Sequence, residues 1–265
     1  MFPGDPGLTW PAVKKGEKSP KKATLDLFES ISRIKSIVVI PLTPPLPRPP
    51  FALPPPRLTI SGMFLSIDGG DGTGKSTQIE LFCRWLEGLG QEVVTCRDPG
   101  STALGEAVRE LLLHRHDLDI HRRSEMLLYM AARAQMVEEV IRPALAEGKT
   151  VVADRFLLAN VVYQGYGGGL DVETLWRVGQ VATDGLMPEL TIVLDLPAEL
   201  AAARLSGQPD RMEQQGDAFH ARVREGFLAE AARRPEQIAI IDASPCIEEV
   251  QRKMQEAARR VIELK

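Results

Sequence analysis

The sequence predicts an α/β protein of three layers, with a five-stranded parallel sheet and helices on both of its faces. Two observations carry that reading. From Met63 onward, short apolar runs alternate with longer stretches of helical period, the mark of strands buried between crossover helices. The first apolar run also passes through a glycine-rich loop straight into a helix, which fixes where that sheet presents backbone to a ligand.

The chain has 265 residues, 44% of them hydrophobic, enough for one good-sized core. It contains no run of about eighteen apolar residues, so no membrane span is expected, and its start lacks the basic-then-apolar order of a signal peptide. Cys83, Cys96 and Cys246 are far apart and form neither a metal spacing nor an obvious disulfide set, which fits a cytoplasmic protein. Up to Gly62 there are nine Lys/Arg and four Asp/Glu, a net +5; the remaining 23 basic and 32 acidic residues give −9. A body this acidic argues against a nucleic-acid surface, so basic side chains that converge in it point to a small anionic ligand.

Residues 1–62 differ from the rest. The first twenty-two are polar with several lysines; Leu25 to Ile40 allows a short helix and a strand at Ser36–Ile40; Pro41 to Pro56 holds nine prolines in sixteen residues. Proline fixes φ and donates no hydrogen bond, so this tract reads as extended, and the segment as a disordered N-terminal extension. The folded domain is expected over 63–265.

Within that domain, Met63-Phe64-Leu65-Ser66-Ile67 is the first strand. A helix follows, with Ile79, Leu81, Phe82, Trp85, Leu86 and Leu89 at three- and four-residue steps. Glu92–Cys96 is the second strand, Arg97–Thr102 a turn, and a helix runs through Leu113. One long helix is expected from about His121 to Glu147, then a third strand at Lys149–Ala153. A short helix carries Asn160 to Tyr163, Gly165 to Gly169 reads as a flexible loop, and another helix spans about Val172 to Asp184. Leu190–Leu194 is the fourth strand, followed by a helix and the polar segment 206–211. A helix from about Gln215 to Arg234, a strand at Ile238–Ile241 and a helix from Ile247 complete the chain.

The loop Gly69-Gly70-Asp71-Gly72-Thr73-Gly74-Lys75-Ser76-Thr77 fits G-x-x-x-x-G-K-[ST], the phosphate-binding loop of nucleoside triphosphatases, which makes the fold one of the P-loop NTPase kind. Its glycines let backbone N–H groups approach phosphate oxygens; Lys75 would reach the β- and γ-phosphates, and the Ser76 hydroxyl would ligate Mg²⁺. Ligands of parallel α/β sheets bind beyond the carboxyl ends of the strands. Arg97-Asp98, Asp154-Arg155 and Asp195 stand at such ends, where an acid can hold Mg²⁺ and an arginine can clamp an oxyanion. Each alone would be an ordinary ion pair; together, on one edge, they read as a site. Arg204 and Arg211 flank the polar segment 206–210, the arrangement of a short lid that closes for phosphoryl transfer.

Over about Met63 to Lys265 the chain resembles bacterial thymidylate kinases. The resemblance rests on Ile67 to Thr77, Arg97-Asp98-Pro99-Gly100-Ser101-Thr102-Ala103-Leu104-Gly105-Glu106, and Leu127-Leu128-Tyr129-Met130-Ala131-Ala132-Arg133-Ala134-Gln135. It continues through Asp154-Arg155-Phe156, Tyr163-Gln164-Gly165, Pro188-Glu189-Leu190-Thr191 with Leu194-Asp195, and Asp210-Arg211-Met212-Glu213. The resemblance implies Mg²⁺-assisted transfer of the ATP γ-phosphoryl group to dTMP, giving dTDP, in a protein that is usually a homodimer. It puts Tyr129 against thymine, Arg133 on the base and near the acceptor phosphate, and Arg97 and Arg155 on that phosphate. It puts Asp71 near the sugar, Asn160 and Gln164 along the base, and Tyr163 where a 2′-hydroxyl would clash. Ser76 and Asp154 take the metal, and the lid supplies the catalytic arginine. The chain departs from the family pattern at Asp68 and Asp98, where glutamate is common, and at Ser101, Ala159, Gly168 and Glu189. Two rivals are another nucleotide kinase of this fold and a nucleotide-dependent switch; the chain lacks the Asn-Lys-x-Asp motif of a GTPase switch. A third places function in the proline tract as an adaptor.

Overall fold

The computed structural model describes residues 62–115, 117–204 and 211–263. The expected N-terminal helix, strand and proline tract, and the polar segment 205–210, lie outside the described residues.

Five strands form one parallel sheet: β1 (Met63–Gly69), β2 (Val93–Arg97), β3 (Thr150–Asp154), β4 (Leu190–Asp195) and β5 (Ile238–Asp242), in the order β2-β3-β1-β4-β5. All five lie where the apolar runs predict them. β1 is central, so the glycine-rich loop leaves from the middle of the sheet. Along β1, Phe64 faces one buried cluster while Met63, Leu65 and Ile67 face the other, because successive side chains of a strand point to opposite faces.

Helices α1 (Lys75–Gly88) and α9 (Ile247–Ile262) cover the second face, through Phe82, Cys83 and Leu86 on one and Val250, Met254 and Ala258 on the other. Helices α2 (Ala103–Leu113), α3 (Arg122–Met136), α6 (Val172–Thr183) and α8 (Asp217–Arg233) cover the first face with Leu112, Met130, Leu175 and Phe227. Full burial of one such side chain is worth about 1.5–3 kcal/mol. Thr102 caps α2 by accepting from the Gly105 N–H at 2.9 Å, and Asp171 caps α6 by accepting from the Thr174 N–H at 2.8 Å. A short helix α7 (Ala198–Ala202) follows β4. Among the described residues no helix is long and apolar enough to cross a membrane.

Two expectations are corrected. The single helix expected from His121 to Glu147 is α3, a wider π turn at Val137–Ile141, and α4 (Arg142–Ala146). Pro143 has no N–H to give the preceding turn, and the hydrogen-bond register changes just ahead of it. The Gly165–Gly169 stretch is not a loop throughout: after α5 (Leu157–Asn160) a π-helical segment runs from Val161 to Gly167. Its glycines are there for packing. A Cβ at Gly167 would stand 2.6 Å from the Phe219 ring, and one at Gly165 would stand 2.9 Å from Leu175 Cδ1.

Candidate active site

The phosphate loop turns through left-handed backbone at Gly72 (φ 76°) and Gly74 (φ 88°), conformations that cost a side chain-bearing residue free energy. Gly72 has a second reason to be glycine, since a Cβ there would lie 2.3 Å from the Ala201 carbonyl oxygen of α7. Lys75 folds back over the loop, and its Nζ donates to the carbonyls of Gly69 (3.2 Å) and Gly70 (2.7 Å). Burial, with Arg155 nearby, lowers the Lys75 ammonium to about 8. A phosphate placed there would favour the charged form again. Thr73 Oγ1 donates to the Gly70 carbonyl at 2.9 Å and stiffens the turn.

Arg155 joins this loop to the rest of the site. It directly follows β3 and takes a left-handed φ of 66°, a costly conformation that turns its guanidinium back across the strand ends. Its Nη1 donates to the Gly69 carbonyl at 2.8 Å, and its Nη2 pairs with Asp71. It lies over the Tyr163 ring at 5.0 Å, and the Tyr163 hydroxyl donates to Asp71 Oδ2 at 3.0 Å. Burial alone would raise the Asp71 carboxyl, but Arg155 and Lys75 outweigh it and hold the group below the usual carboxylate range. Burial also pushes the Tyr163 phenol well above its ordinary value, so its hydroxyl stays a donor.

On the far side of Arg155 a cavity opens, lined by Asp71, Asp98, Arg109, Tyr129, Arg133, Arg155, Asn160, Tyr163, Gln164 and Met212 among others. Its floor is polar and buried. Arg133, 1% exposed, donates from Nε to Asp98 Oδ2 at 2.6 Å and from Nη1 to Asn160 Oδ1 at 3.0 Å. Asn160 Nδ2 donates to Gln164 Oε1 at 2.6 Å. A phenol ring, stacked guanidinium and two amides suit a planar heterocycle, and Arg155 at the mouth suits its anionic tail.

Ser76, Arg97 and Asp154 line a separate open groove between α1 and β2. Asp154 Oδ1 there is buried and has no protein partner, which fits a ligand to a cation or to its water. Arg97 pairs with Glu106 at 3.3 Å, and Glu106 also accepts from the Ser101 N–H at 2.9 Å. Asp195 is engaged bidentately by Arg224 at 2.7 and 2.9 Å, the ordinary ion-pair outcome for a strand-end acid. The two expected lid arginines stand apart. Arg204 Nη1 donates to the Ala243 carbonyl at 3.3 Å, whereas Arg211 donates from Nε to the Leu112 carbonyl at 2.7 Å and pairs with Glu125.

Seven of the eight residues expected around the acceptor therefore meet in one cavity: Asp71, Tyr129, Arg133, Arg155, Asn160, Tyr163 and Gln164. Arg97 does not line it; Arg109 does, donating to the Pro99 carbonyl at 3.1 Å. Sequence reasoning missed Arg109 because it reads as a surface position of an amphipathic helix. Its spacing of three from Glu106, itself five residues past Ser101, was the available signal. Glu125 was missed as well, since an acid in the first turn of a helix looks like a dipole partner.

Comparison with known proteins decides the family. The family model described as thymidylate kinase matches residues 67–254. The chain belongs to the thymidylate kinase family. The thymidylate kinase of Rhodopirellula baltica is 49% identical over 189 residues, 71% of this chain and 77% of that one. The thymidylate kinase of Leifsonia xyli is 48% identical over 192 residues, 71% of this chain and 90% of its own. The crystal structure of thymidylate kinase from Ehrlichia chaffeensis superposes with a TM-score of 0.61 at 28% identity, covering 75% of this chain and 99% of that one. The fold is thus that of the thymidylate kinase family.

Proposed function

We propose that the chain transfers the γ-phosphoryl group of ATP to dTMP, giving dTDP and ADP, through the residues assembled around Arg155. The observation that carries this reading is that one guanidinium spans both halves of the site. Arg155 touches the phosphate loop at Gly69 and Asp71 and lines the acceptor cavity with Tyr163. A donor phosphate on the loop and an acceptor phosphate at the cavity mouth would meet beside it.

The reaction needs no covalent protein intermediate. An oxygen of the dTMP phosphate attacks the γ-phosphorus in line, the bond to the β-γ bridging oxygen breaks, and ADP leaves with that electron pair. Lys75 neutralises charge on the β- and γ-oxygens, and Arg155 holds the acceptor phosphate against its own repulsion. Tyr129 stacks on thymine, Arg133, Asn160 and Gln164 read the base, and Tyr163 with Asp71 closes the space beside the sugar's C2′. Arg109 takes a place at the acceptor end that sequence reasoning gave to Arg97. Ser76 and the unpartnered oxygen of Asp154 would hold Mg²⁺, which when bound to ATP screens the phosphate charges. With Ser76 and Asp154 as its protein ligands, the cation would draw its remaining ligands from the nucleotide and water. Arg204 and Arg211 serve as lid arginines over the transferring group.

The catalytic domain covers 63–265, and 1–62 take no part in the reaction. Exposed Leu127 on α3 and Val181 on α6, 54% and 82% exposed on two helices that pack together, supply an apolar face for a second copy of the chain. The site works in the cytoplasm. Incubating the full chain with Mg·ATP and dTMP and separating nucleotides by anion exchange tests the reaction. dTDP and ADP should appear in equal amounts; ADP without dTDP would refute phosphoryl transfer to dTMP.

A further inference from the structure

A line of buried side chains behind the acceptor cavity begins and ends on arginines, and a guanidinium can only donate hydrogen bonds. At one end Arg133 Nη1 donates to Asn160 Oδ1 (3.0 Å), Asn160 Nδ2 donates to Gln164 Oε1 (2.6 Å), and Gln164 Nε2 donates to Glu125 Oε1 (2.9 Å). At the other end Arg211 Nη2 donates to Glu125 Oε2, and Arg211 is itself fixed by its Nε–H to the Leu112 carbonyl (2.7 Å). Arg133, Asn160, Gln164 and Glu125 are 1%, 3%, 2% and 7% exposed, so bulk water cannot make good a lost partner.

Counting donors and acceptors singles out Glu125. Each amide has one oxygen and one nitrogen, so it hands the direction of the relay on unchanged. A line with donors at both ends therefore needs one group that accepts from both sides. Only the carboxylate of Glu125 does so. A glutamine in its place carries one oxygen, and either Gln164 or Arg211 would then meet a donor with a donor. The charged Arg211 wins the oxygen, Gln164 and Asn160 turn over, and the Asn160 nitrogen then meets the Arg133 guanidinium, donor against donor.

Asn160, Gln164 and Arg133 line the acceptor cavity; Glu125 stands behind it. The direction of the relay decides which groups of the two amides are spent inward and which are left for a base. Thymine offers an O4 acceptor where cytosine offers an N4–H₂ donor, so a pocket read in reverse favours the wrong pyrimidine. We propose that Glu125 is a positioning residue that fixes the relay's direction and thereby sets the preference of the acceptor pocket for thymine over cytosine. The proposal rests on the dTMP kinase reading above.

The test compares kcat/KM for dTMP and dCMP in the full chain, using ADP release. Glu125→Gln should lower the dTMP:dCMP ratio about tenfold or more, the usual consequence of a buried donor left facing a donor. Arg211→Met alone keeps the carboxylate on Gln164 and should leave the ratio within about twofold. Combining the two removes the competing donor, lets the new amide turn its oxygen to Gln164, and should return the ratio to within about threefold of the parent. A helix-holding ion pair without a directional role would give a double variant no better than Glu125→Gln, and that result overturns the proposal, as does an unchanged ratio in Glu125→Gln. Should Glu125→Gln alone fail to fold, the double variant decides: it must fold and discriminate. A parent chain that does not turn over dTMP would refute the kinase reading instead, and the relay would then be judged by calorimetric binding of dTMP against dCMP in the same variants.

Discussion

The phosphate loop and the acceptor cavity are built on opposite plans. The loop is nine consecutive residues whose work is done by backbone: carbonyls hold Lys75, and glycine conformations set the curve. The cavity draws Asp98, Arg109, Tyr129, Arg133, Asn160, Tyr163, Gln164 and Met212 from six separate elements or turns, and buried side chains bond to one another along its floor. Backbone binding suits a ligand group common to all nucleotides. Side-chain relays suit a ligand that must be told from its neighbours, because an unmatched buried donor or acceptor is costly. On the proposed reading, the comparison teaches that such a site can separate its affinity for phosphate from its choice of base.

The largest effect should come from breaking the cavity floor. Arg133→Ala leaves the Asp98 carboxylate buried at 3% exposure without its cation, a loss of about 3–5 kcal/mol on urea unfolding. In whatever fraction folds, dTMP binding should vanish while ATP binding stays. Equal loss of both ligands would mean that the two plans are not separable. Lys75→Ala does the reverse: kcat should fall about 10²–10³-fold while dTMP binding, measured by calorimetry, holds. Gly72→Ala probes the loop's backbone; left-handed φ and the Ala201 carbonyl together should cost about 1–3 kcal/mol and raise KM for ATP more than for dTMP.

A pH experiment sharpens the boundary between the two regions. Asp68, at the end of β1, is fully buried; its Oδ2 accepts from Ser66 at 2.7 Å and its Oδ1 has no protein partner. Burial pushes its carboxyl from 3.8 up to about 6. The folded state therefore binds more protons than the unfolded chain between those values, and this group's contribution to stability falls as pH rises through that window. Asp68→Asn should be more stable than the parent above pH 6 by on the order of 2 kcal/mol, with the gain fading towards pH 4. A gain that persists at pH 4, or a loss at pH 7, would contradict burial as the dominant cause. The smallest effect is expected from deleting 1–62, which should leave kcat/KM unchanged and stability within about 0.5 kcal/mol.

This contrast also explains what the sequence made legible. Strands and the phosphate loop are local: Leu65 and Ile67 announce a buried strand, and Gly69 to Thr77 announces its own chemistry without help from elsewhere. The cavity is not local. Gly165 and Gly167 look like loop residues until Leu175 and Phe219 are seen pressing on them. Arg211 stands out in sequence beside the polar segment, but its pairing with Glu125, 86 positions away, does not. Arg109 offers only its spacing from Glu106, and Glu125 nothing that separates it from a solvated helix residue until Gln164 and Arg211 are seen against it.

The most direct measurement is ADP release by the full chain with Mg·ATP and dTMP, dUMP, dCMP, UMP, AMP or GMP as acceptor. Highest kcat/KM for dTMP, with UMP poor because Tyr163 closes the space beside C2′, is the predicted result. A better acceptor than dTMP, or no turnover with any of the six despite ATP binding, would contradict the assignment of the acceptor cavity.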